Sequence, residues 1–456
     1  MWFLKMWFLI TPFLLLSYYS VYFSSMGFFW GLCCSFIFFI LLIKSSVVCF
    51  FFYVPNSWVL MDDLSFLMEV LVFLVFVLSV ACSVKDLSFP LKETSKGLDS
   101  GLAFISLPCI MFFCAGGWMP FYFFFEFSLI PTLWMILKWG YQPERLQAGM
   151  FLLMYTAGAS LPLLMCLLFI STVVGSDSFI LMALTDMSHW FSRWLLVPVL
   201  LAFFVKLPIY GFHVWLPKAH VEAPLAGSMV LAGVLLKLGG FGLIRVFSLF
   251  KMTLSEEALL MCSMIIWGGL LSSLVSATQH DIKSIIAYSS VSHMSLVAVS
   301  FLSCYPLAKL AGVCMMFAHG VCSPCMFALA ASSYDWSQSR SISMNKSVLR
   351  LFPWFSFYWF SFIVANMSCP PSLNFFSEVV MFSSIKSIGF VFILPLGLLC
   401  EFTCVYCIFL YGFLNHGGVS SFLKSYPGIS DRYLMSFLLS FLILFFGFLG
   451  LDFFLV

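Results

Sequence analysis

Charge is scarce in this sequence. Asp, Glu, Lys and Arg together make up 9% of the 456 residues, against about 25% in soluble chains. That excludes an ordinary water-soluble domain. The formal net charge is +2, so neither a basic face for nucleic acid nor an acidic face for cationic partners is implied. Motifs of cofactor chemistry are missing too: no G-x-G-x-x-G follows a strand pattern, and there is no phosphate-binding loop. Cysteine is plentiful, at 16, but its arrangement argues against a disulfide framework or metal site. The two CxxC pairs, Cys322 with Cys325 and Cys404 with Cys407, lie inside apolar runs with no histidine at a finger-like spacing. A small buried apolar side chain is the plainer reading, and no metal site is assigned.

Hydrophobic residues fill the space that charge leaves, at 63% of the chain, with a mean hydropathy of +1.09. Apolar runs of about 20 residues recur from end to end, each long enough to cross a bilayer as a helix. They are continuous, not alternating, which argues against a strand barrel. The expectation is an all-α polytopic membrane protein with about fourteen spans. These lie near 2–23, 27–53, 58–84, 100–117, 118–138, 148–174, 192–215, 223–247, 258–276, 284–302, 306–333, 350–386, 388–413 and 434–455. The first run has no clear cleavage site and more apolar runs follow at once, so it reads as a helix and not a signal peptide.

Basic residues test this count. Connections after odd-numbered spans hold Lys85, Lys92, Lys96, Lys138, Arg145, Lys218, Lys283, Arg340, Lys346, Arg350, Lys424 and Arg432. Those after even-numbered spans hold only Lys44, Arg193, Arg245, Lys251, Lys309 and Lys386. By the positive-inside rule the odd connections face the negative side and both termini the other.

Prolines interrupt two spans. Span 7 reads FFVKLPIYGFHVWLP, with Pro208 after Lys206, and span 12 reads NMSCPPSLNFFSEVVMF, with Pro370 and Pro371. Proline removes a helix hydrogen bond, tolerated at membrane depth only where protein or water satisfies the backbone. The breaks fall five spans apart, an odd offset that inverts topology. Two inverted five-helix repeats follow, spans 4–8 and 9–13, as in transporters with broken helices at matching positions. The division is 1–99 for the first three spans and their loop, 100–247 and 258–413 for the repeats, and 414–456 for the final loop and helix.

The few charges at membrane depth are the candidates for function. Glu126 lies in span 5, Lys206 in span 7, Lys237 in span 8 and Glu378 in span 12. His293 and His319 lie in spans 10 and 11, and His213 and His220 flank the first break. A structural reading remains open, in which Glu126 and Lys206 are an ion pair that fixes packing. The functional reading is an ion path, and acids, lysines and histidines in a row suit protons better than sodium, which favours clustered oxygens. For His213 and His220 packing and function stand level. Asp62, Asp63 and Glu69 read as a rim at the start of span 3, and Glu401 is ambiguous. Lys237 has no acid three or four residues away to pair with on its own helix.

The stretches FFVKLPIYGFHVWLPKAHVEAPLAGSMVLAGVLLKLGGFGLIRV, ATQHDIKSIIAYSSVSHMSLV, MFAHGV and PPSLNFFSEV closely resemble the chain 4 family of NADH:ubiquinone oxidoreductase, respiratory complex I. The resemblance runs from about Gly116 to Glu378. It implies an antiporter-like proton channel of the membrane arm, with Glu126 the family's span-5 acid, Lys206 its partner, Lys237 the central lysine and Glu378 the acid near the outlet. It implies that His213, His220, His293 and His319 line a hydrated axis. It also implies no cofactor in this chain, with FMN and iron–sulfur clusters in other subunits, and partners among the membrane-arm chains, especially chains 2 and 5, together with lipids. The composition resembles a mitochondrially encoded animal copy, placed in the inner membrane with both termini towards the intermembrane space. A cation/proton antiporter on the same fold and a non-pumping scaffold are the rival readings.

Overall fold

A computed structural model describes residues 60–83, 97–140, 142–179, 182, 193–250, 256–418 and 431–454. Spans 1 and 2 lie outside the described residues. The elements are helices: α1 (Asp63–Cys82), α2 (Leu98–Phe113), α3 (Trp118–Phe127), α4 (Leu129–Trp139), α5 (Arg145–Val174) and α6 (Arg193–Lys206). There follow α7 (Trp215–Glu222), α8 (Leu225–Val230), a π-helical turn (Leu231–Leu235), α9 (Leu236–Phe250), α10 (Glu256–Thr278), α11 (Ile282–Leu302) and α12 (Pro306–Ser337). The last are α13 (Val348–Leu351), α14 (Pro353–Asn366), α15 (Leu373–Ile388), α16 (Ile393–Asn415) and α17 (Asp431–Phe446). Among the described residues, nine helical stretches are long and apolar enough to cross a membrane, and Leu98–Phe113 and Leu196–Lys206 are shorter apolar helices.

Burial sorts the spans. The most apolar 18-residue stretch of α12 is wholly buried, those of α1 and α11 are 94% buried, and that of α5 only 33%. α12 is therefore the hub, and α5 turns Met150, Met154, Leu161 and Met165 outward, the apolar surface that lipid or a neighbouring chain covers. Small residues bring the central helices together, as membrane packing requires. A Cβ added to Gly233 would lie 2.7 Å from Val75 on α1 and 3.1 Å from Pro324 on α12. One added to Gly239 would lie 2.8 Å from the Leu207 nitrogen.

Contacts between connections bear out the span count in this region. The connection after span 2 meets that after span 4, where Leu60 N–H donates to Cys114 O. That connection in turn meets the one after span 6, where Trp118 N–H donates to Asp177 O at 3.0 Å. Arg245, at the end of span 8, pairs with Asp62. Odd connections converge separately. Arg340 donates to Val221 O at 3.2 Å, Lys283 to Ala223 O at 3.3 Å, and Ile342 N–H to His280 O at 3.0 Å. Connections after spans 7, 9 and 11 thus share one face, as strict alternation demands.

Both predicted breaks are present and have the same exit geometry. Leu207 and Met367 each make a last helical bond, to Phe203 O and Ile363 O. Two residues on, Ile209 N–H reaches Phe204 O and Cys369 N–H reaches Val364 O, each five residues back. Each break also holds one residue of positive φ, at different places: Gly211 at 101° beyond Ile209, and Ser368 at 56° before Cys369. In this register Asn366 occupies in span 12 the place of Lys206 in span 7.

Sidedness is testable. In sealed vesicles a membrane-impermeant maleimide should modify Gln142→Cys and Gln338→Cys from one side and Tyr305→Cys from the other. Labelling of Gln142→Cys and Gln338→Cys from opposite sides would contradict the arrangement.

Candidate proton-transfer axis

A polar chain starts at Lys237, which is wholly buried. The helix around it is irregular on both sides of the contact. The π turn widens the backbone just before Lys237, a feature that recurs at functional sites. Opposite, Pro324 lies inside α12 and denies the Gly320 carbonyl its helical donor. Lys237 Nζ donates to Ala232 O at 2.7 Å and lies 3.2 Å from His319 Nδ1. An ammonium has only donors, so with Lys237 charged Nδ1 accepts and the His319 proton sits on Nε2. That Nε2 is buried without a hydrogen-bond partner. The rings of His319 and His293 are 5.5 Å apart, and His293 Nδ1 is 3.1 Å from Glu378 Oε1. This last pair is at ion-pair distance, although neither ring nitrogen is set along a hydrogen bond. Lys237, His319, His293 and Glu378 therefore form one series across α9, α12, α11 and α15.

Lys206 ends α6 at the first break, 2% exposed. Gly239, two residues past Lys237, packs on its Cβ, so the two lysines occupy adjoining stretches. Lys206 Nζ stands over the Phe125 ring at 4.7 Å and makes no direct ion pair with Glu126, although the Glu126 charge acts on it. Glu126 is partly buried, with Oε1 lacking a hydrogen-bond partner. It opens on a pocket of about 490 Å³ between α3, α4 and α5, lined by Tyr122, Phe127, Leu133 and Leu153 among others. The Glu126–Lys206 couple is thus a separated pair with an aromatic ring beside the lysine.

The remaining candidates divide. His220 is fully buried, its ring stacked 4.8 Å from that of Phe327 on α12, and neither nitrogen has a hydrogen-bond partner. His213 stays at the break. It accepts from Gly211 N–H at 3.2 Å and stacks on Tyr210 at 4.6 Å. Glu401 is exposed on α16. The rim at span 3 splits: Asp63 is exposed, Asp62 pairs with Arg245, and Glu69 is wholly buried against the Cys114 thiol. Glu69 is not a rim residue because α1 enters the protein core within two turns of its start. Lys283, counted with the loop charges, is also buried. It sits at the first turn of α11, where its stem lies along the protein and its ammonium reaches Ala223 O. Only the buried helical stretch that follows it signals this in the sequence.

The geometry has relatives. Residues 115–403, more than half of the chain, match the family model described as NADH:quinone oxidoreductase/Mrp antiporter, TM. The chain is 44% identical over 321 residues to NADH-ubiquinone oxidoreductase chain 4 of Albinaria caerulea, covering 69% of this chain and 72% of that protein. The chain belongs to the NADH-ubiquinone oxidoreductase chain 4 family. The chain 4 of Lumbricus terrestris is 40% identical over 360 residues, 78% of this chain and 79% of that one. Two solved structures share the fold at lower identity. A chain of respiratory complex I from Thermus thermophilus with bound NADH superposes with a TM-score of 0.78 at 21% identity, covering 96% of this chain and 94% of that chain. A chain of the Mrp complex from Dietzia sp. DQ12-45-1b gives 0.78 at 14%, covering 98% and 94%. This chain therefore shares its fold with both solved chains.

Arg340 closes the face on which α7 ends. It donates to Val221 O and to Glu222 Oε1 at 3.4 Å, and Glu222 is 4% exposed. Arg340→Ala leaves that carboxylate unpaired, at about 1–3 kcal/mol. Less assembled complex on native gels is expected for Arg340→Ala, with most of it restored in Arg340→Lys. Equal assembly of Arg340→Ala and the parent chain would remove Arg340 from the packing of α7.

Proposed function

We propose that this chain is a proton-translocating membrane-arm subunit of respiratory complex I. It couples NADH:ubiquinone electron transfer, performed in other subunits that hold FMN and iron–sulfur clusters, to proton pumping across the inner mitochondrial membrane. Chains 2 and 5 of the complex and membrane lipids would be its neighbours. The odd connections would face the matrix and both termini the intermembrane space. The repeats would run over 100–247 and 258–413, flanked by 1–99 and 414–456. The observation that carries this reading is the buried series Lys237, His319, His293, Glu378.

Chemically, the series transfers a proton with a balanced exchange at each ring. An N–H bond of Lys237 breaks as His319 Nδ1 gains the proton, and His319 releases the proton of Nε2 towards His293. His293 passes one to the Glu378 carboxylate, which releases it at the outlet. Each imidazole thus takes a proton on one nitrogen and gives one from the other. Glu126 sets the starting condition. Two unit charges ~6 Å apart at an effective dielectric of ~20 interact by roughly 2.8 kcal/mol. A change in the Glu126–Lys206 separation therefore alters how firmly Lys206 holds its proton, and separation of the pair lets Lys206 pass that proton to Lys237, from which it moves towards Glu378. His213 at the break and His220 below it would extend the hydrated path.

The likeness to a chain of the Mrp complex favours a second reading, a cation/proton antiporter. Identity of 40–44% to chain 4 proteins weighs against it, and a sodium or potassium flux driven by this chain would support it.

Lys237 decides between relay and fixed charge, because arginine keeps the charge and does not deprotonate. Complex carrying Lys237→Arg should assemble yet pump poorly, as should Lys237→Ala, measured as NADH-driven proton uptake or release in vesicles. Normal pumping by Lys237→Arg would reduce Lys237 to a structural cation.

A further inference from the structure

We propose that Asp177, on the connection after span 6, is a positioning residue for the Glu126–Lys206 couple. It caps α3 from outside that helix and so fixes where α3 presents Glu126. This rests on the proton-pumping reading above and adds a point of control to it.

A helix leaves its first backbone N–H groups without partners of its own, and buried backbone donors must be satisfied. The N-cap of α3, Gly117, has no side chain and makes no cap. Asp177 supplies the missing acceptors. Its carbonyl oxygen accepts from Trp118 N–H at 3.0 Å, and its Oδ1 accepts from Met119 N–H at 3.0 Å. Pro120 has no N–H to satisfy. Phe121 N–H makes the first bond within the helix, to Gly117 O at 3.1 Å. The free donors of the first turn are thus met from another connection, and a carboxylate faces the positive end of the helix. Gly117 leaves room for this arrangement, since a Cβ added there would lie 2.7 Å from Asp177 Oδ2.

The cap is itself anchored. Gly117 and Ser178 form an antiparallel bridge, and Phe179 N–H donates to Gly116 O at 3.1 Å. The Phe179 ring meets the Trp118 ring edge-on at 4.6 Å. Arg245, which pairs with Asp62, lies over the Phe179 ring at 5.7 Å. The connection after span 6 is therefore held to α9 and to the start of α1.

A continuous run of rings leads from the cap to the couple. Trp118, Phe121 and Phe125 are the buried residues of α3, spaced so that they share one face. Trp118 and Phe121 are 5.5 Å apart, and Phe121 and Phe125 are 6.5 Å apart with planes at 11°. Both phenylalanines meet Phe203 on α6, at 6.1 and 5.7 Å. Phe203 stands one turn before Lys206, whose Nζ lies over the Phe125 ring at 4.7 Å. Glu126 is the next residue. Close-packed elements transmit displacement, and α3 has only 10 residues. A slip at its capped end therefore carries Phe125 and Glu126 together relative to Lys206.

The test compares complex purified from mitochondria carrying each variant, at equal content of assembled complex. The readouts are NADH-driven proton translocation and hydrogen exchange at the Met119 amide. Asp177→Ala should expose that amide and slow translocation about fivefold, the population shift that one lost cap corresponds to. Asp177→Asn, which keeps an acceptor oxygen, should pump at the parent rate. The decisive variant combines Gly117→Asp with Asp177→Ala. It moves the cap onto the helix's own N-cap, where the backbone is extended and Asp is favoured. This double variant should recover both pumping and amide protection, whereas Gly117→Asp alone, crowded against Asp177, should be impaired. Parent-level pumping by Asp177→Ala, with Lys237→Arg still defective, would overturn the positioning role and leave the main axis standing. A defect in Asp177→Ala that the double variant does not relieve would overturn it too. Normal pumping in Lys237→Arg would instead overturn the parent reading. Where Asp177→Ala fails to assemble, recovery of assembly and pumping in the double variant supports the role, and its absence overturns it.

Discussion

A bilayer interior offers no water to satisfy a polar backbone, so irregular backbone persists there only where the protein supplies partners. This constraint organises the chain. Its irregular points are the break at 207–214, the break at 367–372, the π turn at Leu231–Leu235 and the proline inside α12. The buried ionisable groups gather at the same points. Lys206 ends the helix at the first break, Lys237 donates to a carbonyl of the π turn, and His319 lies one turn before Pro324. Glu378 follows the second break. Loosened backbone provides acceptors that a regular helix withholds, and those acceptors let a cation stay in a dry core.

The same arrangement divides the charges by task. At the rim, Arg340 with Glu222 and Arg245 with Asp62 are close pairs that tie connections together, with no proton to move. At depth, neither lysine of the series has a carboxylate at ion-pair distance, and the one close contact to an acid is made by an imidazole. Lys206 has an aromatic face beside it, Lys237 a carbonyl and an imidazole, and Glu378 an imidazole. Tight ion pairs would hold their protons in place, whereas a chain of half-satisfied groups exchanges them. Small residues complete the design, since Gly233 lets the π turn approach α1 and α12, and Gly239 lets α9 approach the end of α6, closely enough for side chains on different helices to meet.

Much of this was legible in the sequence. Apolar run length marked the spans that fall in the described residues, nine of them as helical stretches long enough to cross a membrane, because hydrophobic length is dictated by the bilayer. Pro208 and Pro370 marked both breaks, since a missing N–H has the same consequence in any helix. The isolated charges in apolar runs marked Glu126, Lys206, Lys237 and Glu378. What the sequence concealed was depth and partnership across helices. Glu69 reads as a span end and is buried, Lys283 reads as a loop charge and is buried, and Glu401 reads as intramembrane and is exposed. Rotation of a helix about its axis decides each case, and a helix apolar on all sides carries no moment to reveal it.

The account depends most on the polar series being a wet path across an otherwise dry core. A density map of the assembled complex that resolves ordered water tests this directly. Water is predicted between the His319 and His293 rings, whose centroids are 5.5 Å apart, and between Lys206 and Lys237 beside Gly239. A map of that quality with both gaps dry and closed by apolar side chains, whatever the state of the enzyme, would contradict it.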